Sequence, residues 1–462
     1  MDEEFEYKGI WWLPDKPEKR VSGTLTFTPN KGANLDLMGS FKDIKNKNRS
    51  EILEPEIILG VSSDGKYITL YKCLETNSTT SFPGFQTSSR FLANLVFVGV
   101  HFQKSEDISF KSISVHYLHL DEWVKISGFV IKSWGKKGVI IKYKLPEPFQ
   151  VEISDELKIS INFRRKVSSR SFSQEEVTIK QNTEIKVETS EEKPFEDFRE
   201  IIYHIQNLLT LGITEPVYPL SITGLTEVNV ENEAYYLPVK IFYQLLDIPK
   251  GHKTLTSNDM LFTFEDISNR FEPLLKNWFE KKDFLESVYN LYFGTLYNPH
   301  MYLEDQFLSL IQAIESFHRR VYGGKYLPDE KYDKVYEVLV NGIPEDVESE
   351  LKDRLMEYLK YGNEFSLRKR LKEIFDKYKE ILDKFIENKK DFIEKVVNTR
   401  NYFTHYDKEL KEHTTHGEDL CRLNQKLRMC LETCLLAEIG FTSEEIKTFI
   451  SRNIRYQLRS IR

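Results

Sequence analysis

The sequence has few cysteines, no run of apolar residues long enough to cross a membrane, and no basic, apolar leader. Four cysteines in 462 residues cannot supply a disulfide framework, and a reducing compartment fits their scarcity. The first residues, MDEEFEY, are acidic where a signal peptide would be basic and then apolar. We therefore expect a cytoplasmic protein that does not enter the membrane.

Several catalytic and metal-binding motifs are also missing. No G-x-S-x-G occurs, which disfavours a serine hydrolase, and no G-x-x-x-x-G-K-[ST] occurs, which disfavours an NTPase. Cys430 and Cys434 are four residues apart on a predicted helix, with His413, His416 and Cys421 upstream, but finger-type cysteine pairs are absent. Leucines surround both helical cysteines, so we expect buried structural cysteines and predict no metal and no cofactor.

Positive charge is concentrated near the C-terminal end, although the net charge of −7 argues against indiscriminate coating of nucleic acid. The stretch 446–462 has no acid and carries five cations: Lys447, Arg452, Arg455, Arg459 and Arg462. We predict that Arg452, Arg455 and Arg459 contact RNA phosphates. The alternative is an ordinary helix end or a frayed tail.

The periodicity of apolar residues predicts an α+β multidomain protein. Residues 1–190 show strand-like alternation and two turn-separated hairpins, at Glu56–Tyr71 and Gly128–Tyr143. This pattern predicts a β-rich, sandwich-like domain or a curled antiparallel sheet. Residues 191–298 are mixed α/β, and they either form a small domain or complete the first one. The helical spacing of apolar residues over 299–462 predicts an all-α bundle. More than one domain is expected because a chain of 462 residues exceeds one ordinary core.

The predicted helices follow from apolar spacing and from capping signals. Gly440 is placed to end one helix, and Thr442 with Glu445 offers a capping box for the next. The predicted helices are Phe195–Leu211, Phe271–Tyr297, Tyr302–Arg320, Glu345–Lys360, Leu367–Asn388, Lys390–Thr404, Glu418–Ile439 and Ser443–Leu458.

The most informative motif is Arg400-Asn-Tyr-Phe-Thr-His405, at the end of a strongly periodic helix. RNA carries its own nucleophile, the 2′-hydroxyl, next to each phosphate. A protein can therefore cleave RNA without a metal if it supplies a proton-transfer group and a fixed cation. We assign proton transfer to His405 and phosphate stabilisation to Arg400, while Asn401 offers an amide to the substrate.

The helical context of this motif adds two expectations. Arg400 falls on an apolar stripe where a hydrophobe is expected, so it must have a partner or a function. Arg400 and His405 lie about 140° apart on an ideal helix, so they share one phosphate only if the helix ends near His405 or two copies meet. We hypothesise that Glu315, at the border of another apolar stripe, pairs with Arg400; the alternative is a solvent-facing glutamate.

The same spacing occurs a second time, at Arg199-Glu-Ile-Ile-Tyr-His204. A short spacing of this kind is close to chance in a chain of this length, so context must separate the two matches. The apolar residues around the second match leave Arg199 and His204 off the core stripe. We interpret it as a solvated helix face.

Both ends of the chain resemble ApeA-type proteins. The segments Gly9–Asp15 (GIWWLPD) and Val21–Phe27 resemble the N-terminal domain of that family, and Ser109–Val124 fits the same pattern. Near the other end, Ser366–Leu371 (SLRKRL) and Arg400–His405 resemble its HEPN domain.

The resemblance implies an anti-phage ribonuclease that acts in abortive infection. Its helical HEPN part would be a metal-independent nuclease, a homodimer or higher homo-oligomer, with transfer RNA among the possible targets. The family's R-x4-6-H motif maps onto Arg400 and His405, with Asn401 at the polar position after the arginine. The β-rich part would restrain the nuclease or sense a phage-derived trigger. HEPN toxins silenced by nucleotidylation carry His-x-Tyr, whereas here His405 is followed by Tyr406 and Asp407, so that form of regulation is not expected.

Two other functions are compatible with the sequence. The first is a non-catalytic RNA-binding or assembly module in which Arg400 only joins helices. The second is a ligand-sensing protein whose β-rich part binds a small molecule and whose helices relay the signal. The sequence leaves both open.

Overall fold

The computed structural model describes residues 3–42, 52–81, 86–135, 138–169, 177–230, 233–245, 253–406 and 408–457. The chain divides into two compact units, Met1–Lys276 and Asn277–Arg462. The first is β-rich and the second is helical, which confirms the predicted fold class. Residues 191–276 lie in the first unit. The division into 1–190, 191–298 and 299–462 stays a prediction.

The strands of the first unit form one large antiparallel sheet and one separate ribbon. Strands β1 to β14 are Phe5–Leu13, Lys16–Thr28, Gly32–Leu37, Ile57–Ser62, Tyr67–Ser81, Gln86–Val98, Ser109–Tyr117, Phe129–Ser133, Val139–Tyr143, Phe149–Ser154, Leu157–Ser169, Val177–Pro194, Pro219–Val230 and Glu233–Tyr243. The order β6-β3-β2-β1-β4-β5, with β5 pairing back onto β6, closes a barrel. The sheet continues from β6 through β14, β13, β7, β12, β11 and β10. Of the two predicted arrangements, the sheet therefore takes the curled one.

Alternation of buried and less buried residues is clear along β2, one of the barrel strands. In β2, Val21, Leu25 and Phe27 are buried and their neighbours are less so. The Trp11 indole is fully buried, and a side chain at Gly60 would overlap it, so this close approach requires glycine. The predicted hairpin between β4 and β5 is confirmed by its register. The predicted hairpin between β8 and β9 also forms, but as an isolated ribbon with exposed aliphatic side chains.

Helices α1 to α3 of the first unit are Leu120–Val124, Phe195–Ile213 and Phe264–Ile267. Helix α2 carries the second Arg-x4-His match. Arg199 is exposed and pairs with Glu196 at 3.0 Å, as expected of a solvated face. His204 contradicts that expectation, since it is only 4% exposed. Helix α2 packs against β7 and β12, and nearly all of its residues after Ile202 are buried.

The remaining helices begin at the junction of the units. Helices α4 to α14 are Phe271–Glu280, Lys282–Tyr297, Leu303–Tyr322, Asp329–Asn341, Ser349–Lys360, Leu367–Lys377, Lys379–Leu382, Lys389–His405, Gly417–Glu438, Ser443–Arg452 and Ile454–Gln457. The predicted helix over 271–297 is broken at Lys281, and the predicted helices over 367–388 and 443–458 are each divided into two. The capping box of Thr442 and Glu445 is confirmed.

Among the described helices that follow α3, α7 has no counterpart in the predicted set. Helices α7 and α8 contain no buried residue, and they pack on each other as a hairpin, with the Tyr332 hydroxyl donating to the Leu359 carbonyl. A bridge between Lys325 and Glu364 closes the base of this hairpin. Helix α7 was missed although Tyr332, Tyr336 and Leu339 recur at helical spacing.

A buried arginine joins α6 to α9 below that hairpin. Arg370 is 1% exposed, and its Nη1 donates to His318 Nδ1 at 3.1 Å and to the Gly323 carbonyl at 3.1 Å. Its Nε donates to the Phe365 carbonyl at 3.0 Å. A buried cation of this kind is tolerated only when its donors find acceptors. Arg370 therefore fixes the end of α6 and the start of α9 together.

The fully buried His318 completes the network in one protonation state. Its Nδ1 accepts from Arg370, so Nε2 carries the hydrogen and donates to Glu373 Oε2 at 3.0 Å. Burial lowers the pKa of His318, and the Arg370 charge lowers it further, while Glu373 acts in the opposite direction. The histidine is therefore neutral at pH 7 and serves as an acceptor for the arginine.

We expect Gly324→Ala to destabilise the helical unit more than Gly323→Ala. Both glycines have positive φ, which costs a substituted residue about 1–3 kcal/mol. A Cβ at Gly324 would also lie 2.6 Å from Arg370 Nη1, whereas nothing lies within 4 Å of one at Gly323. Displacing the buried guanidinium breaks charged hydrogen bonds, so the difference should reach about 2 kcal/mol. Denaturant unfolding of both variants measures it, and equal losses would contradict this account.

The same network makes a prediction about acid. An unfolded histidine takes up a proton below about pH 6.5, whereas His318 does so only at lower pH, because its pKa is lowered on folding. Its contribution to stability is thus present above pH 6.5 and is lost as the pH falls. We expect His318→Asn, which keeps an acceptor but does not titrate, to show a flatter fall in unfolding free energy between about pH 7 and 5. Parallel profiles for the two proteins would refute this.

Candidate active site

Helix α11 places the Arg-x4-His motif at its C-terminal end. The Asn388 side chain caps its start by accepting from the Asp391 N–H at 3.0 Å. The helix ends at His405, and Tyr406 adopts a left-handed conformation with its N–H donating to the Tyr402 carbonyl at 2.6 Å. The helix end predicted near His405 is confirmed. Asp407 lies outside the described residues.

One side of this helix end is anchored in the core. Phe403 is buried, and its ring lies 5.9 Å from that of Phe307 on α6. The buried Thr399 hydroxyl accepts from the Thr415 N–H at 3.1 Å, which ties the following loop to the helix. Thr399, rather than Arg400, continues the buried face between Val396 and Phe403. The expectation that position 400 belongs to the apolar stripe is therefore wrong, and Arg400 lies half-buried at its edge.

The opposite side is a continuous polar face of four residues: Arg400, Asn401, Thr404 and His405. Asn401 and His405 are one turn apart on the same face, as are Arg400 and Thr404. Arg400 Nη1 donates to Asn401 Oδ1 at 3.3 Å, and the Thr404 hydroxyl donates to the Arg400 carbonyl at 2.8 Å. Asn401 thus fills the angular gap that separates Arg400 from His405.

The electrostatics of this face favour an anionic ligand. Among the residues that the structure describes, no carboxylate lies within ion-pair distance of Arg400, and its side chain bonds only to the neutral Asn401 amide. His405 is solvent-exposed. A cation without a neutralising partner, next to an accessible imidazole, can hold a phosphate and exchange a proton with it.

Glu315 does not join this face within the described contacts. It is half-buried on α6, and no hydrogen bond or ion pair between described residues connects it to Arg400. It acts electrostatically on Arg370 instead. Burial lowers the pKa of the Arg370 guanidinium, and the charges of Glu315 and Glu364 oppose that effect. The pairing of Glu315 with Arg400 stays a prediction.

The basic C-terminal residues lie on the last two helices. Arg452 and Arg455 are half-buried, and the Arg452 guanidinium carbon lies 5.5 Å from the centre of the Phe449 ring. Lys447 Nζ lies 3.9 Å from Glu444 Oε1. Arg459 lies outside the described residues. The RNA contacts proposed for Arg452, Arg455 and Arg459 stay predictions.

The two helical cysteines are packing residues of the core. Cys430 and Cys434 are buried on α12, as predicted, and burial raises the pKa of the Cys430 thiol to about 12 and that of Cys434 well above its usual value. Thiols held protonated in this way are poor metal ligands and poor nucleophiles. Within the described ranges, no three His, Cys, Asp or Glu side chains come together as a metal site.

Sequence reasoning missed two features of the site. Thr404 follows Arg400 by four residues, and this spacing alone could have placed it on the same face. The second feature is an aromatic cluster of Tyr402, Tyr406 and His416. The His416 ring lies 5.8 Å from that of Tyr402 and 6.0 Å from that of Phe403. His416 comes from the start of another helix, so no local pattern could have revealed this contact.

Comparisons with known proteins find two families along the chain. A family profile described as ApeA N-terminal domain 1 matches residues 6–278, and one described as Apea-like HEPN matches residues 308–445. No curated protein and no solved structure matches the chain significantly. None of the described helices is long and apolar enough to span a membrane. Because the first match alone covers more than half of the sequence, the protein belongs to the ApeA family and carries a C-terminal HEPN domain.

Proposed function

We propose that this protein is an anti-phage endoribonuclease that cleaves RNA at the polar face of α11 without a metal. The observation that carries the proposal is the Arg400 side chain, which has no carboxylate partner among the described residues. Arg400 donates to Asn401, and Asn401 shares its helix face with His405. The family supports it, because HEPN domains are usually ribonucleases and generally bind RNA.

The proposed reaction uses the internal nucleophile of RNA. The 2′-oxygen attacks the adjacent phosphorus, the bond to the 5′-oxygen breaks, and the products carry a 2′,3′-cyclic phosphate and a 5′-hydroxyl. His405 takes the proton from the 2′-hydroxyl or delivers one to the leaving 5′-oxygen. Arg400 stabilises the extra negative charge that builds on the phosphate oxygens.

Asn401 and Glu315 have supporting roles in this proposal. Asn401 accepts from Arg400 through Oδ1, so its amide N–H groups remain available to a phosphate or ribose oxygen. Glu315 would orient Arg400 once RNA or a second copy rearranges the face.

A second copy of the chain would complete the site. Arg400 and His405 point about 140° apart from one helix, so a phosphate held between two such helices could use one group from each. HEPN domains often dimerise, and we propose a homodimer or higher homo-oligomer acting on RNA, transfer RNA included. The ApeA N-terminal unit would restrain the nuclease until a phage-derived trigger arrives.

A structural role for Arg400 is the main competing function, since its half-burial is also compatible with a residue that only joins helices. The two roles predict different stabilities. In the nuclease, Arg400→Ala and His405→Ala should each change the free energy of unfolding by less than about 1 kcal/mol, because neither side chain fills the core. Phe403→Ala should cost about 3–5 kcal/mol. Thermal and denaturant unfolding check this, and a loss for Arg400→Ala as large as that for Phe403→Ala would favour the structural role.

Cleavage tests the proposed chemistry directly. Bacterial total RNA, incubated in EDTA with phage-infected lysate, should be cut by the wild-type protein and not by Arg400→Ala or His405→Ala. If the N-terminal unit restrains the nuclease, uninfected lysate should give less cleavage by the wild-type protein. Loss of a transition-state charge or of a general acid–base typically costs at least a hundredfold in rate. The cut ends should carry 2′,3′-cyclic phosphate, because the nucleophile belongs to the RNA.

Arg199→Ala is the matched control, since Arg199 starts the second Arg-x4-His match and is exposed on α2. Its cleavage rate should equal that of the wild type. Ends with 5′-phosphate and 3′-hydroxyl would exclude the internal nucleophile. Cleavage that needs a divalent cation would contradict the metal-free route. Cleavage that survives in His405→Ala would remove His405 from the chemistry.

A further inference from the structure

Tyr406 presents a large aromatic ring beside the proposed site. It is the first residue after α11, directly follows His405, and is 66% exposed. Its φ of +52° and ψ of +34° place it in the left-handed region, where its N–H closes the helix onto Tyr402. Glycine or asparagine usually occupies such a position, because a side chain there costs about 1–2 kcal/mol. Here the left-handed position is occupied by a tyrosine.

The exposed ring is held from the core outward by a series of aromatic contacts. The Tyr406 ring lies 5.4 Å from that of Tyr402 at an interplanar angle of 60°, and Tyr402 meets His416 edge to face. His416 also contacts Phe403, which packs on the buried Phe307. In an edge-to-face pair, each ring uses an edge or one face. Among the described residues, Tyr402 is the ring that contacts Tyr406, and the 66% exposure of Tyr406 leaves at least one of its faces open to solvent.

We propose that Tyr406 stacks a nucleobase next to the scissile phosphate and thereby selects unpaired RNA. This inference rests on the proposed function. An aromatic ring can stack on any base that is free to leave its neighbours, whereas a base inside a duplex offers no open face. Because Tyr406 directly follows His405, a base stacked on it positions its own nucleotide against the imidazole. The substrate class is accordingly single-stranded loops, bulges and ends.

Binding without cleavage tests the stack. The full chain with His405→Ala serves as the background, and the probe is a fluorescein-labelled oligoribonucleotide without self-complementarity, compared with the same strand in a perfect duplex. Adding Tyr406→Ala should weaken binding of the single strand roughly five- to a hundredfold and leave the duplex unchanged. Tyr406→Phe should bind within about twofold of the background, and Tyr406→Trp at least as tightly, since stacking needs the ring and not the hydroxyl.

Two further variants separate stacking from a structural role. Tyr406→Gly relieves the left-handed backbone, so it should unfold no more easily than the background while losing the same affinity as Tyr406→Ala. Tyr358→Ala is the matched control, because Tyr358 is 63% exposed on α8, and it should bind like the background.

Several results would overturn the inference. They are a Tyr406→Ala variant that binds the single strand normally, one that loses single strand and duplex equally, and a background that binds no single strand at all. Cleavage decides the proposed function separately: an active enzyme indifferent to Tyr406→Ala refutes only the stack. An inactive protein whose single-strand binding depends on Tyr406 refutes only the nuclease.

Discussion

The buried guanidinium of Arg370 is the constraint on which the arrangement of the helical unit depends. Its donors reach His318 and the Gly323 carbonyl at the end of α6 and the Phe365 carbonyl before α9, so leaving any of them unpaired would strand a charge in the core. Helix α9 in turn packs on α11, where the rings of Phe375 and Phe392 lie 5.4 Å apart. The position of α11, and with it the candidate site, therefore depends on a polar network as much as on apolar packing.

The end of α11 combines two opposite environments within one turn. Phe403 and Thr399 hold it against the bundle, whereas Arg400, Asn401 and His405 face outward without a carboxylate among the described residues. A rigid backbone beneath an uncompensated polar face is what a pre-organised site for an anion requires, because little conformational freedom remains to be lost on binding. The same face would be a poor interior contact, since burying Arg400 without an anion is costly.

The sequence predicted what depends on local pattern and failed where tertiary contacts decide. The 3.6-residue spacing and the Thr442 capping box located most helices of the second unit, and the motif located the helix end at His405. His204 was misread because α2 is covered on nearly all sides, which the sequence of α2 alone does not show. Nothing in the basic stretch around Arg370 distinguishes a buried arginine from solvated ones, since its acceptors, one imidazole and two carbonyls, are brought together only by the fold.

The accessibility of the candidate site bears on how the proposed nuclease could be restrained. Neither Arg400 nor His405 is sequestered in the helical unit, so a switch that rebuilt the chemistry would be unnecessary. Blocking access to the site is simpler. Covering the polar face of α11, or keeping two copies apart, would stop cleavage while each α11 stayed intact. A ligand shifts such an equilibrium only as far as it binds one state more tightly than the other. In the proposed mechanism, a trigger recognised by the ApeA N-terminal unit would therefore have to favour the state in which the polar faces are free to bind RNA.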